Sequence, residues 1–468
     1  MVGVSGIDPD ALHRTVKLEL DEDRATSLEE AIAIASHYVL QIDVGPQIAG
    51  SPTLQAMLMT AVNTAARAFL GGVRVRAATN PLLSTRWAAG QTLTDAIRTY
   101  GGQPTTELSE QYPTLVIGHP QAPVGRPLLH LTWNGWVAAA VRHSARRLPE
   151  AKEFPLAGVV AAGLGVSETF QHVRGSTRAG WRDVGLSLWQ PGAGWRSPTS
   201  AGPVCPYLPQ RLLMAGLGHL GQAICWALGF LPYPETDAAD LTLYDFDTII
   251  DANHSTGLLT TPADRGRRKT RVIAQLLEQI GFTTAIIERR VDGNTRRTVD
   301  EPTWALAGFD RPEPRRALAN AGFSKVIDVG LGAGRRDYLD ILIHVFPSGI
   351  KPAYAWPPDA PANTEHPLTA AYQSIVRREI AAGVPEGTAR CGVVGLAGQS
   401  VAAAFVGTVA AGLAIAEALR ELLGGTAASI PSYEVVSVSL ANPARVDTAA
   451  NRYPAIVDNP GFVQSAGC

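Results

Sequence analysis

The chain has 468 residues, 46% of them hydrophobic, 18% charged and 7% aromatic, which excludes a mostly disordered protein and leaves room for two or three domains. Its 40 basic and 42 acidic residues give a formal net charge of −2, so charge offers no reason for general binding to nucleic acid or to a membrane surface. Only five of the basic residues are lysines (Lys17, Lys152, Lys269, Lys325 and Lys351), so a lysine inside a motif stands out.

The four cysteines, Cys205, Cys225, Cys391 and Cys468, contain no CxxC pair and are too few for a disulfide scaffold. The N-terminal stretch carries early acids and no apolar run, so no signal peptide is expected. Residues Cys391 to Ala416 form an uncharged run long enough to span a bilayer. Its Gly and Ala content, with Gln399 and Ser400 inside and Glu417 just beyond, instead predicts a buried packing helix. The expectation is a soluble cytoplasmic protein with no nucleic-acid or membrane partner.

In chain order, a helix is predicted near Ser27–Tyr38, a strand over Val39–Asp43, a turn at Gly45-Pro46 and a helix from Ser51 to Leu70. Strands follow at Val73–Arg76, Thr114–Ile117 and Leu128–Thr132, then a helix over Leu156–Val173 and a strand near Leu186–Trp189. The Pro-, Gly- and Ser-bearing stretch from Gln190 to Gln210 predicts a boundary, with domains at 1–205 and 206–468. Beyond it, the strand Arg211–Ala215 runs into Gly216-Leu-Gly-His-Leu-Gly221 and an apolar helix. A strand at Leu241–Tyr244 ends in Asp245-Phe-Asp247, a helix covers Thr270–Ile280, and strands cover Thr284–Glu288 and Lys325–Asp328, the last closed by Val329–Gly332. Alternating strands and helices predict an α/β fold with a mainly parallel, Rossmann-like sheet. Pro- and Gly-rich sequence at about 347–399 reads as a long crossover loop, and a final helix runs from about Ser400 to Leu423.

One segment recurs. Gly158–Phe170 and Gly407–Leu419 are identical at seven of thirteen positions, including a glutamate. Gly45-Pro-Gln-Ile-Ala-Gly50 likewise sits between strand and helix, as Gly216–Gly221 does, but with Gln47 in place of the middle glycine. A side chain there would obstruct the approach of a phosphate to the backbone. The first half therefore reads as a degenerate copy of the second that cannot bind nucleotide.

A GxGxxG turn between strand and helix cradles phosphates through free N–H groups and the positive end of the helix dipole. Asp245 at the end of the next strand suits ribose hydroxyls. Both features also fit a dinucleotide site. Asn253, the basic run Asp264-Arg-Gly-Arg-Arg-Lys269 and Asp310, after an apolar stretch, favour a nucleoside triphosphate with Mg²⁺ instead.

With these motifs in hand — GLGHLG, YDFD at Tyr244–Asp247, Asn253, DRGRRK and FDRPEPR at Phe309–Arg315 — the sequence resembles the ThiF/MoeB/ubiquitin-E1 adenylyltransferase superfamily, best over residues 206–345. The resemblance implies ATP and Mg²⁺ as cofactors. It puts Gly216, Gly218 and Gly221 around the phosphates, Asp245 on the ribose with Asp247 and Asn253 beside it, Lys269 and Arg268 on the phosphates and Asp310 on the metal. The family arginine after the asparagine falls on Thr256, so another arginine, Arg267, Arg268 or one from the first half, would have to replace it. Members often work as dimers whose partner donates an arginine, so the first half would act as a built-in partner in a pseudo-dimer.

The implied reaction is adenylation of the C-terminal carboxylate of a ubiquitin-like or other small carrier protein. Capture as a thioester would fall to Cys391, with Arg390 and the following helix start lowering its pKa. An E2-like partner, a further homodimer, a bacterial conjugation-type operon and antiphage defence also follow from the resemblance alone. Other readings are a ThiF-type enzyme acting on a sulfur carrier or peptide, a pseudo-E1 scaffold, and an NAD(P)-dependent dehydrogenase, which would leave Lys269 and Asp310 without a role. His219, His254, His344, Arg335 and Arg336 are further site candidates.

Overall fold

A computed structural model describes residues 9–234, 239–358, 368–424, 432–443, 445–450 and 460–466. The first half contains strands β1 (Val39–Val44), β2 (Gly72–Ala77), β3 (Gln103–Pro104), β4 (Thr114–Ile117), β5 (Leu128–Asn134), β6 (Val137–Val141) and β7 (Val184–Ser187). Its helices are α1 (Lys17–Asp21), α2 (Leu28–Ala35), α3 (Pro52–Ala65), α4 (Leu93–Thr99) and α5 (Pro155–Val173). The long ones start where local chemistry predicts. Ser51 caps α3 by accepting the Leu54 N–H, and Pro stands in the first turn of both α3 and α5, where no N–H is missed. A short strand β8 (Tyr207–Pro209) follows the linker and pairs with the C-terminal β17 (Phe462–Gln464).

The second half contains β9 (Arg211–Ala215), β10 (Asp240–Tyr244), β11 (Thr283–Ile287), β12 (Trp304–Ala307), β13 (Lys325–Leu331), β14 (Asp340–Phe346), β15 (Tyr433–Ser439) and β16 (Val446–Ala450). Its helices are α6 (His219–Leu228), α7 (Lys269–Gln279), α8 (Pro312–Ala319), α9 (Pro352–Ala355), α10 (Ala370–Ala381), α11 (Glu386–Ala397) and α12 (Ala404–Gly424). The first sheet has strand order β3-β2-β1-β4-β5-β6-β7 and the second β11-β10-β9-β12-β13-β14-β15-β16. In each, five strands are parallel and those after the fifth are antiparallel. The second sheet is the first with one strand added.

The recurring segment lies in α5 and α12, each of which precedes the last strand the two sheets share. The two helices pack on each other reciprocally. A side chain at Gly163 would meet Val409 of α12 at 2.7 Å, and one at Gly412 would collide with Val160 of α5. Within the repeat, Gly163 aligns with Gly412 and Val160 with Val409, so the contact has a pseudo-two-fold character. A second pair obeys the same rule. Gln171 of α5 donates to the Leu440 carbonyl just past β15, and Arg420 of α12 donates to the Leu188 carbonyl just past β7. Small residues let the helix backbones approach, and one hydrophobic core runs from Leu12 to Leu440 through both halves. The halves are thus not independent globules; Trp87 of the first stacks on Trp226 of the second at 5.3 Å and donates to its carbonyl.

Three expectations change. The crossover at 347–399 is not an open loop: its described residues include α9, α10 and α11. Its uncharged run is split between α11 and α12, and no described helix is long and apolar enough to cross a membrane. Strand β13 runs on through Val329-Gly-Leu331 because it pairs with β14 along that length, so the segment expected as its closing loop is strand.

Candidate functional site

The carboxyl ends of β9, β10 and β12 meet where the chain order of the sheet reverses, the place where α/β sheets bind ligands. There Gly216 has φ +82°, a conformation costly for residues with a Cβ, and turns β9 into α6. Gly221 lies against the Gly216 carbonyl, while Gly218 faces open space, with no neighbouring atom within 4 Å of where a side chain would begin. The loop is therefore an open cradle at the first turn of a ten-residue helix.

Asp245, 8% exposed, fastens this loop. One carboxylate oxygen accepts the Leu217 N–H at 2.6 Å and the other the Asp247 N–H at 2.7 Å. A carboxylate has about four lone-pair sites, so acceptor capacity for ribose hydroxyls remains. Nothing in the sequence marks this anchoring role of Asp245. Asp247, half exposed, pairs with Lys269 at 3.0 Å. Lys269 is the first residue of α7, and its backbone N–H donates to the Asp247 carbonyl. Arg268, the N-cap residue, donates to the Phe246 carbonyl. Asn253 sits in a 3-10 turn over Asp251–Ser255, where its Oδ1 accepts the Ile250 N–H at 3.0 Å and closes the turn. Asp310 is exposed two residues beyond Gly308, whose N–H donates to the Ala215 carbonyl at the end of β9.

The first half reaches this loop from the side. The Arg14 backbone N–H donates to Ser255 Oγ at 3.1 Å, and its guanidinium donates to Gln399 Oε1 at 2.6 Å. Arg67 donates to the Gly257 carbonyl at 2.7 Å but is half-buried and also bound to Asn63. Thr256, at the position of the family arginine, is 5% exposed.

The corresponding crevice of the first half is built differently. Pro46–Ala49 form a 3-10 turn ahead of α3 instead of a glycine cradle. Gln47 Oε1 accepts the His119 N–H at 2.9 Å and lies 3.0 Å from where a Gly118 side chain would begin. Arg76 closes the next strand by pairing with Asp43 at 2.6 Å, and Pro120 follows Gly118 where Asp310 follows Gly308.

Cys391 is exposed but lies at the sixth position of α11, not in a loop ahead of a helix. Arg390 is held by Glu386 at 2.9 Å. The expected activation by a helix start is therefore replaced by a mid-helix position, because α11 begins five residues earlier. Cys225 is buried, with its thiol pushed up to about 12 by desolvation, and Cys205 is buried with Sγ on the Tyr207 carbonyl. Cys468 lies outside the described residues.

The remaining candidates move away from the cradle. His219 is half-buried with its Nε2 enclosed against Gly407 of α12, and desolvation lowers it to about 4, so it faces the helix interface rather than a ligand. His344 is buried beside Trp356, also lowered to about 4 by desolvation. Both ring nitrogens of His254 lack a hydrogen-bond partner among the described residues. Arg335 donates to the Asp21 carbonyl of α1. Among the described residues no three His, Cys, Asp or Glu side chains cluster as a metal site.

Residues 39–188 match the family model for the BilD N-terminal domain and residues 208–425 that for the BilD C-terminal domain. The bacterial E1-like protein BilD of Collimonas sp. (strain OK412) is 38% identical over 425 residues, 90% of each chain. Among solved structures, E. coli MccB with MccA-N7isoASN aligns at 14% identity and TM-score 0.34, covering 54% of this chain and 67% of that one. TcdA (CsdL) aligns at 16% identity and TM-score 0.31, covering 47% and 88%. These last two likenesses are too distant to carry an argument.

Proposed function

The chain belongs to the BilD family of bacterial E1-like proteins, and from that footing we propose that its second half adenylates the C-terminal carboxylate of a ubiquitin-like or other small carrier protein at the expense of ATP. The observation that carries this reading is the linked run Leu217–Asp245–Asp247–Lys269 around an open glycine cradle, with Asp310 on the neighbouring strand end.

The residues fit a Mg·nucleotide. The open space above Gly218 suits a phosphate that a Cβ would exclude, and the exposed carboxylate of Asp310 suits a cation whose other ligands are phosphate oxygens and water. Mg²⁺ bound there would neutralise charge on the triphosphate. Lys269 would hold a phosphate, Asp245 the ribose, and the free N–H groups of the α6 start the phosphate oxygens. Arg14 is the arginine of the first half best suited to replace the one absent at Thr256, since Arg67 is spent on buried carbonyls. Catalysis is then positioning and charge neutralisation: a carboxylate oxygen attacks the α-phosphorus, pyrophosphate leaves, and no side chain needs to shuttle a proton.

The filled crevice of the first half, with Gln47 and Arg76, supports a non-catalytic role as built-in partner. In the second step the Cys391 thiolate would attack the acyl carbonyl, forming the thioester and releasing AMP. Its exposure and the open surface at Gly387 and Gly392 on the same helix support access by a bulky partner.

ATP–pyrophosphate exchange with candidate small proteins tests the first step. Exchange that disappears in Lys269→Ala and Asp310→Ala is the expected result; ATP binding without exchange under every partner would favour a scaffold, and NADH binding would sink both. A thiol-sensitive adduct absent from Cys391→Ala tests the second step, and its persistence would remove Cys391 from the mechanism.

A further inference from the structure

Behind Asp310 lies a buried charge pair that the reaction above leaves unused. Arg315 on α8 has a side chain only 12% exposed. Its Nε donates to the Phe309 carbonyl at 2.8 Å, and Nη2 donates to the same carbonyl and, at 3.4 Å, to that of Val329. Nη1 faces Asp328 Oδ2 at 3.4 Å. The guanidinium thus joins the peptide unit leading into Asp310 to the far end of β13. A glycine, Gly330, stands where any side chain would begin 2.6 Å from Nη1.

Asp328 is 1% exposed, and its Oδ1 has no hydrogen-bond partner among the described residues. Burial raises its pKa to about 7, with Arg315 pulling the other way. Directly across the strand pair stands His344, its ring kept neutral by burial. Trp356 lies 5.9 Å from the guanidinium, and its carbonyl accepts from neighbouring Arg316 at 2.9 Å, so the entry to the crossover is tied to the same helix. A desolvated carboxylate with one unsatisfied oxygen is an expensive feature to keep in a core unless its partner matters. The bonds of that partner converge on the residue before Asp310 and on the neighbouring strand β13.

We propose that Arg315 is a positioning residue that sets the Asp310 carboxylate for the divalent cation of the bound nucleotide, with Asp328 as its buried counter-charge. This rests on the reading of Asp310 as the metal carboxylate. Lysine cannot reproduce it, because only a planar fork serves one carbonyl with two donors and a carboxylate with a third.

The test measures Mn²⁺ binding by electron paramagnetic resonance in the presence of α,β-methylene-ATP, alongside the Mg²⁺ dependence of exchange. Arg315→Lys is expected to weaken Mn²⁺ binding about tenfold and to raise the Mg²⁺ needed for half-maximal exchange by a similar factor. Nucleotide affinity without metal should stay unchanged. Asp310→Ala should lose the Mn²⁺ site outright. Wild-type Mn²⁺ affinity in Asp310→Ala overturns the metal reading and this proposal together; loss there with wild-type affinity in Arg315→Lys overturns the proposal alone. If Arg315→Lys does not fold, Gly330→Ala, which displaces the guanidinium without deleting it, is expected to weaken Mn²⁺ binding about threefold, and an unchanged affinity overturns the proposal.

Discussion

Replacing Lys269 by methionine separates a ligand-binding lysine from a structural one. The side chain is 10% exposed, so methionine preserves most of the packing of its stem. Its ammonium sits at the N-terminus of α7, where the helix dipole disfavours a cation by about 0.3–1 kcal/mol. Against this stands the ion pair with Asp247, whose side chain is 49% exposed and so contributes roughly 0–1 kcal/mol. The two effects offset, and urea unfolding should give a stability within about 1 kcal/mol of wild type. ATP affinity should respond quite differently. A hydrogen bond between an ammonium and a phosphate is worth about 1.5–3 kcal/mol, which corresponds to roughly 10- to 150-fold weaker binding by calorimetry. A variant that loses more than about 3 kcal/mol of stability while its folded fraction binds ATP normally would refute the argument.

The glycine loop gives a second contrast. Gly218→Ala, in open space at the N-cap of α6, should keep the fold to within about 1 kcal/mol yet weaken ATP binding, whereas Gly221→Ala drives its methyl into the Gly216 carbonyl and should lose roughly 1–3 kcal/mol of stability in urea without any ligand. Equal stability of the two variants would contradict the geometry. At the interface between the halves, Gly412→Val should cost about 1–3 kcal/mol by overpacking against Val160, with part of it recovered by Val160→Ala; a change under about 0.5 kcal/mol would show that the helices can part freely. Asp328→Asn should alter the pH dependence of stability. A carboxyl held at about 7 when folded contributes most below its unfolded pKa, and that contribution is lost as pH rises through about 7. The variant should therefore gain on wild type by about 2.5 kcal/mol between pH 5 and pH 8, measured by urea unfolding at both, and an unchanged difference would mean the carboxyl is not desolvated.

Much of the second half is legible in the sequence because its chemistry is local. A strand, a glycine turn and a helix that follow one another leave a pattern in fifteen residues, and Asp245 and Lys269 sit on elements whose periodicity is clear. The crossover is harder to read. Glycine and proline at about 347–399 suggest a loop, but Asp21 accepting from Tyr372 and Asp23 accepting the Ala371 N–H hold α10 against the N-terminal segment. Those contacts span about 350 residues and leave no local trace. Cys391 is identifiable as a residue but not as a mid-helix one, since α11 depends on that same docking. Arg315 belongs to a recognisable motif, yet its contacts with Asp328 and the Val329 carbonyl need β13 beside β12 to become visible.

The paucity of lysines, the glycine turn and the repeat are properties of the sequence alone, because each is set by residue identity and short spacing. What the halves do to each other is decided only by tertiary structure. Val160 and Val409 declare themselves as partners of Gly412 and Gly163 once α5 and α12 are packed. The same packing brings Arg14 to the turn at Asp251–Ser255, with its N–H on Ser255. Helix propensity and turn chemistry act over a few residues. Burying two sheets against one set of small-residue helices acts over the whole chain, and that requirement brings residues 14 and 255 together.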